Sequence, residues 1–235
     1  MKQRVIAFVA SIALIVVAAV IYYASTGNIG NSSSGTGGAG SPAAPASGTL
    51  QPGGKTLVVY FSQPETSRPG NMSTDEDNST VVIDGSVLGN TQYMAQLIEE
   101  RSNADMFRVE AATPYPTDHD TLVDQASREQ SQGARPAIKG TLPDISQYQT
   151  IFVGYPIWWG EMPMIMYTFF DQSDFSGKTI IPFVTHGGSG FAGTVQAIQA
   201  LEPSAAVSQG GLSISRDDIQ DARPEIESWL GQFGY

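Results

Sequence analysis

One stretch decides the fold class of this chain: Ile151-Phe152-Val153-Gly154-Tyr155-Pro156-Ile157-Trp158-Trp159-Gly160. Its first five residues form a continuous apolar run, which is typical of a parallel strand buried on both faces. Two adjacent tryptophans follow in a short loop, residues 156–160, which we call the tryptophan loop. A planar aromatic side chain there is suited to stacking on a ring system. The alternative is a hydrophobic plug between this loop and a helix.

Short apolar runs alternate with helical periodicity on both sides of this stretch. The predicted strands are 57–61, 107–109, 151–155, 179–185 and 211–214. The predicted helices are 91–102, 118–132, 164–171, 192–201 and a last one that Pro224 opens. This alternation predicts an α/β fold, a doubly wound five-stranded parallel sheet built from right-handed βαβ units. Ligands of such folds bind beyond the carboxyl ends of the strands, so the loops after the first, third and fourth strands are the candidates.

The N-terminal part differs from the rest in composition. Lys2 and Arg4 precede an uncharged, mostly apolar run at 5–24, which is long enough to cross a bilayer. The positive charge before this run predicts a single-pass anchor with the C-terminal domain outside the cytoplasm. A cleaved signal peptide is the alternative, with a secreted product. We therefore expect an anchor or signal at 1–24, a flexible linker rich in Gly, Ser and Ala at 25–54, and one domain at 55–235.

Composition excludes several classes of function. The formal net charge is −11, with 23 acidic against 12 basic residues, and such a surface repels nucleic acid. The chain has no cysteine, which excludes disulfides, thiolate nucleophiles and iron–sulfur clusters. His119 and His186 are its two histidines, and they match no metal-ligand spacing, so we expect no metal site.

The loop after the first strand has the residues of an anion site. It begins at Ser62, and Gly89-Asn90-Thr91 leads into the first predicted helix. Hydroxyl and amide side chains beside the free N–H groups of a helix N-terminus can hold a phosphate. An ordinary helix cap is the alternative, because Asn and Thr are common there.

The loop after the fourth strand reads Thr185-His186-Gly187-Gly188-Ser189-Gly190-Phe191. Its three glycines leave the backbone free to donate N–H groups to the polar edge of a flat ligand. We call residues 186–190 the glycine loop. The loop does not match the nucleophile elbow of hydrolases, G-x-S-x-G, because Phe191 occupies the position of the last glycine of that motif. His186 is then a donor in the loop or, as an alternative, a proton-transfer group.

These three loops, in this order, resemble the flavodoxin family, in the branch with Tyr-Pro-x-Trp-Trp-Gly and Thr-His-Gly-Gly-Ser-Gly loops. The resemblance covers 55–235 and implies a flavodoxin-like sheet of order 2-1-3-4-5 with FMN as the cofactor. It implies a phosphate loop at Ser62, Gln63, Gly89, Asn90 and Thr91. It implies contact with the isoalloxazine ring at Pro156, Trp158, Trp159 and Gly160. It implies that His186, Gly187, Gly188, Ser189 and Gly190 line the pyrimidine edge, with Phe191 nearby.

The family's phosphate loop is split in this chain by an insertion at 63–88. The insertion is polar and acidic, and its residues 81–85 predict a small strand and turn. The middle threonine of the family pattern has no clear counterpart, and Glu65 and Thr66 or the residues just before Gly89 are candidates for its place. We interpret the insertion as a surface excursion, with a flap over the flavin as the alternative.

The resemblance implies a redox protein that passes electrons through bound flavin to an unidentified redox partner or small-molecule acceptor. Two alternatives stay open. One is an FMN oxidoreductase linked to NAD(P)H or a quinone, although no second dinucleotide fingerprint is visible. The other is a non-redox binding domain that kept the fold.

Overall fold

A computed structural model describes residues 54–235 of the chain. Strands and helices alternate along this part, as the sequence pattern predicts. In chain order the elements are β1 (Lys55–Tyr60), α1 (Thr74–Ser79), β2 (Thr80–Ile83), β3 (Ser86–Gly89), α2 (Asn90–Ser102), β4 (Asp105–Arg108), α3 (His119–Gln132), β5 (Tyr148–Pro156), α4 (Met164–Asp171), β6 (Thr179–His186), α5 (Thr194–Leu201), β7 (Ala206–Val207), β8 (Leu212–Ser215) and α6 (Arg223–Gly231). Short 3-10 turns at Ile145–Gln147 and Arg216–Asp221 precede β5 and α6.

The main sheet is parallel and has the order β4-β1-β5-β6-β7, with β8 also paired to β6. This is the predicted order 2-1-3-4-5, because β7 and β8 together form the fifth strand. β8 is the strand predicted at 211–214. The order reverses between β1 and β5, and this switch point lies beside the loops expected to bind a ligand.

Alternate residues of each central strand pack against helices on opposite faces of the sheet. On one face, Val153 of β5 packs with Ile165 and Phe169 of α4. On the other face, Phe152 packs with Met94 of α2 and Leu230 of α6. Both faces of β5 are therefore buried, which is why its sequence is a continuous apolar run.

Helix α5 begins later than the sequence predicts. The periodicity of Val195 and Ile198 placed its start at residue 192, but the helix begins at Thr194. Ala192 and Gly193 have φ values of 50° and 91°, which are left-handed and incompatible with a right-handed helix. The predicted bounds of the other helices agree with the structure to within one residue.

The insertion at 63–88 is folded. Its predicted strand and turn form an antiparallel hairpin, β2 and β3, around Asp84 and Gly85, whose φ values are 49° and 77°. Two positive φ values are those of a type I′ turn, which matches the twist of a hairpin. The sequence prediction missed helix α1, which Ser73 and Glu76 cap reciprocally. Because Val81 is only 5% exposed, the insertion is more than a surface excursion.

The segment predicted to anchor the chain, 5–24, and the linker up to residue 53 lie outside the described residues. Within residues 54–235, no helix has the length and apolar character needed to cross a membrane.

Candidate functional site

A cavity of about 250 Å³ opens at the carboxyl ends of β1, β5 and β6. All three predicted loops contribute to it, since each follows one of these strands. The predicted site residues that line it are Ser62, Gln63, Asn90, Thr91, Pro156, Trp158, Trp159, His186 and Gly187. The sheet thus gathers residues separated by up to 125 positions around one space.

One end of the cavity is polar and lies at the N-terminus of α2. Gly89 precedes this helix, and a Cβ there would lie 2.2 Å from Oγ of Ser62, so only glycine allows this close approach. Asn90 donates through Nδ2 to the carbonyl oxygen of Asn78 at 2.9 Å, but its Oδ1 is buried without a partner. Thr91 and Thr185 share a hydrogen bond of 2.8 Å between their hydroxyls. The first turn of α2 also presents backbone N–H groups that have no partner within the helix.

The tryptophan loop is a tight turn. Trp158 and Glu161 exchange both backbone hydrogen bonds, at 2.9 and 3.0 Å, and Trp159 and Gly160 have φ values of 53° and 75°. A bulky residue in the left-handed region costs of order 1 kcal/mol or more. The two backbone hydrogen bonds close the turn and place Trp159 at its tip. The backbone N–H of Ile157 donates to the carbonyl oxygen of Thr185 at 2.9 Å, which fixes the loop to the end of β6.

The two tryptophans have different surroundings. Trp158 is half-buried and meets the rings of Phe61 and Tyr115 edge to face, with centroids 5.4 and 5.6 Å away. Trp159 is 59% exposed and is held by a hydrogen bond of 3.1 Å from its Nε1 to the carbonyl oxygen of Val123 on α3. Trp158 therefore belongs to an aromatic cluster, and Trp159 offers a ring at the rim.

The glycine loop fixes the tautomer of its histidine. The backbone N–H of Gly188 donates to Nδ1 of His186 at 2.8 Å, so the proton of the neutral ring lies on Nε2. Burial lowers the pKa of His186, and the charge of Asp218 opposes this shift. A neutral His186 offers one N–H donor to the cavity.

An acidic group of the insertion, Glu65, also lines the cavity. Glu65 is 8% exposed, and its two carboxylate oxygens lie 3.0 and 3.2 Å from Nδ1 of His119, the first residue of α3. Burial raises the pKa of Glu65, and the hydrogen bond with His119 opposes this shift. Nε2 of His119 lies 3.8 Å from Asp75. The insertion is thus joined to α3 by a cluster of ionisable side chains.

Six predicted residues do not line the cavity: Gly89, Gly160, Gly188, Ser189, Gly190 and Phe191. Phe191 packs against the hydrophobic core, and its ring lies close to Gly211. Gly89 ends β3 and precedes α2, and the other four lie in the tryptophan and glycine loops. A direct contact of any of the six with a ligand stays a prediction.

The cavity also contains residues that the sequence analysis did not assign to the site. They are Asn78 and Ser79 of the insertion, His119, Leu122, Val123 and Ala126 of α3, Ile157, Thr185 and Arg216; Glu65 was named only as a candidate replacement in the phosphate loop. The apolar periodicity of α3 predicts a buried face but not which part of that face meets a ligand. The position of Arg216 after the fifth strand is a usable signal, because that loop also lies at the carboxyl edge of the sheet.

A doubly wound parallel sheet of this order, with a cavity at its switch point, defines a flavodoxin-like fold. The family model described as Flavodoxin matches residues 79–231, and the chain belongs to this family. No curated protein matches the chain.

Solved structures with the same fold include several flavoproteins. A candidate flavoprotein from Bacteroides uniformis ATCC 8492 is 28% identical, with a TM-score of 0.57, over 76% of this chain and 99% of that chain. A second, from Bacteroides eggerthii DSM 20697, is 25% identical, with a TM-score of 0.58, over 78% and 99%. A flavoprotein from Lactobacillus acidophilus NCFM, solved in complex with FMN, is 21% identical, with a TM-score of 0.49, over 76% and 99%.

Proposed function

We propose that this chain is an FMN-binding redox protein that transfers electrons through its flavin and is held at a membrane by residues 5–24. The observation that carries the proposal is the cavity at the switch point of the sheet, polar at one end and aromatic and apolar along one wall. FMN also has a polar part and an aromatic part, because its phosphate and hydroxylated chain are attached to a flat aromatic ring. Membership of the flavodoxin family implies the same cofactor.

The polar end fits the phosphate and the ribityl chain. Backbone N–H groups of the first turn of α2 and the hydroxyl groups of Ser62 and Thr91 can donate to phosphate oxygens. The buried Oδ1 of Asn90 has no partner, so it can accept a hydrogen bond from a ribityl hydroxyl. A fully ionised phosphate has no proton to donate to Oδ1 of Asn90. A ligand that carries both a phosphate and hydroxyl groups therefore fits this end of the cavity.

The remaining walls fit the ring. Trp159 offers a broad aromatic surface at the rim, and Ile157 and Val123 add apolar contact. His186 offers its Nε2–H, and the backbone of the glycine loop can approach a flat polar edge closely. The bound flavin would supply the redox chemistry, whereas these residues bind it, orient it and exclude water from one face.

Electron transfer can be tested with the purified chain loaded with FMN. The proposal predicts that a chemically reduced sample passes its electrons to a one-electron acceptor such as a cytochrome in a stopped-flow measurement. It also predicts slow turnover in steady-state assays with NADH or NADPH and a quinone. Rapid, saturable turnover with a nicotinamide cofactor would instead establish the enzyme alternative. A loaded flavin that exchanges electrons with neither class of reagent would contradict a redox function.

The tether is proposed from the sequence, since 5–24 is uncharged and follows Lys2 and Arg4. We expect the full chain to stay in the membrane pellet during alkaline carbonate extraction. Deletion of 5–24 should release it, and external protease should digest the domain in intact cells. Recovery of a shortened chain from the medium would contradict the tether and support a cleaved signal peptide.

A further inference from the structure

The cavity contains a positive charge that is distant in sequence from the phosphate loop. Arg216 is the one Lys or Arg side chain among the described residues that line the cavity. It lies more than 120 positions after the first turn of α2, and no Lys or Arg is adjacent to Ser62 or to residues 89–91 in the sequence. The sequence therefore predicts a phosphate held by neutral donors alone, and the fold changes this expectation.

The guanidinium group of Arg216 lies directly against the glycine loop. A Cβ on Gly187 would lie 3.2 Å from Cζ and 3.2 Å from Nη1 of Arg216. The absence of a side chain at residue 187 thus makes room for the guanidinium. Arg216 follows β8 directly, in a turn where the Oγ of Ser215 accepts a hydrogen bond from the backbone of Asp217 at 3.3 Å.

Two contacts put this charge on the same side of the cavity as the N-terminus of α2. Thr91 in the first turn of α2 is hydrogen-bonded to Thr185, which is two residues before Gly187. The turn Arg216–Asp221 packs against β2 and α1 of the insertion, which leads directly into α2. The acidic group of the cavity, Glu65, is joined to α3 through His119.

The charge of Arg216 is poorly satisfied by the protein. Within residues 54–235 its one ion pair is with Asp217, whose Oδ1 lies 3.9 Å from Nε of Arg216. The side chain of Asp217 is 79% exposed, so water screens this pair. Arg216 makes no side-chain hydrogen bond within the described part of the chain, which leaves its planar fork of donors available for an oxyanion.

We propose that Arg216 is the charged partner of the flavin phosphate and makes the site selective for FMN over riboflavin, which lacks the phosphate. This inference rests on the proposed function. The phosphate carries about −1.5 to −2 charges at neutral pH, and the neutral donors of α2 balance them only in part. A guanidinium that reaches the phosphate from the glycine loop supplies the remaining positive charge. Riboflavin is the necessary comparison, because Gly187 also belongs to the loop assigned to the edge of the ring.

The test compares the affinities of FMN and riboflavin for the full chain, measured from the quenching of flavin fluorescence. The variants are Arg216→Gln, which removes the charge, and Arg216→Lys, which keeps it. Arg101→Gln is the matched control, because Arg101 is exposed at the C-terminal end of α2 and its loss changes the net charge equally. We expect Arg216→Gln to weaken FMN about fivefold or more and riboflavin less than twofold. Arg216→Lys should recover part of this loss, and Arg101→Gln should leave both affinities unchanged.

Ionic strength gives a second readout. The advantage of the wild-type chain over Arg216→Gln in FMN affinity should shrink as salt increases, because salt screens the attraction between Arg216 and the phosphate. An equal loss for FMN and riboflavin, or no loss for either, would overturn the assignment of Arg216. A wild-type chain that binds neither flavin would instead refute the proposed function, so the two failures are distinguishable.

Discussion

The tryptophan loop at 156–160 and the insertion at 63–88 line the same cavity, but they reach it by different routes. The tryptophan loop continues from the end of β5, and four of its residues, 156–159, line the cavity. The insertion contributes Glu65, Asn78 and Ser79, which are brought together by contacts across α1 and α3. A loop that directly follows a strand can be predicted from the sequence to lie at the site. The insertion reaches the cavity through long-range contacts, which no local sequence pattern indicates.

The two tryptophans of the loop also differ in their surroundings. Trp158 faces the aromatic cluster of Phe61 and Tyr115, and Trp159 extends from a strained turn over the rim of the cavity. We therefore expect the two residues to have separate tasks, Trp158 mainly in stability and Trp159 in binding.

The largest expected effect is on stability. Trp158→Ala should lower the free energy of unfolding by about 3 kcal/mol, because it removes a large aromatic side chain from the cluster and leaves a cavity. Chemical denaturation of the FMN-free chain measures this effect, and Trp158→Phe, which keeps an aromatic ring, should recover part of it. A loss below about 1 kcal/mol would show that Trp158 is not a structural residue.

Trp159 should show the opposite pattern. Trp159→Asn should weaken FMN binding by roughly 1 kcal/mol or more, the value expected for a stacking partner. Its free energy of unfolding should stay within about 1 kcal/mol of the wild type, since asparagine tolerates a positive φ and this offsets the lost hydrogen bond to Val123. Fluorescence titration and denaturation of the same sample separate the two quantities. Unchanged FMN affinity would show that Trp159 does not contact the flavin.

The insertion can be tested at Ser79. Its hydroxyl accepts a hydrogen bond of 3.0 Å from the backbone N–H of Glu65 and donates to the carbonyl oxygen of Glu76 at 3.1 Å. Ser79→Ala should cost about 1 kcal/mol and weaken FMN binding several-fold, because the backbone at Glu65 loses its partner beside the cavity. Ser86→Ala, in the same insertion but exposed at the start of β3, is the control and should change neither quantity. Equal behaviour of the two variants would show that the hydrogen bonds of Ser79 do not support the cavity.

The smallest expected effect concerns the pH dependence of Glu65. Its raised pKa means that the folded state binds this proton more tightly than the unfolded state does. The resulting stability is present below the ordinary glutamate pKa of about 4.3 and is lost as the pH rises through the higher pKa of the folded state. Glu65→Gln lacks this loss, so its stability relative to the wild type should increase between pH 4 and 7. Thermal unfolding of both proteins across this range measures the difference; a constant or decreasing difference would show that pairing with His119 outweighs burial.

The features that the sequence predicted share a physical basis. The five strands and the three loops were predicted from local apolar runs and from the rule that parallel strands end at one edge, whereas the strand order was implied by the resemblance to the flavodoxin family. Helix α1 was missed because its six residues, including Asp75 and Asp77, bury no side chain and show no apolar periodicity. The predicted start of α5 was wrong because the left-handed φ values at Ala192 and Gly193, which delay the helix, leave no trace in the apolar pattern. Arg216 reaches the cavity through the pairing of β8 with β6, which is a long-range contact.

The most direct test of the central claim is the absorption spectrum of the purified full-length chain before and after addition of FMN and removal of the excess. The account predicts the two visible bands of a flavin and about one FMN per chain, with the Trp159 variant retaining less flavin at equal protein concentration. A colourless, folded chain that fails to retain added FMN would contradict the account.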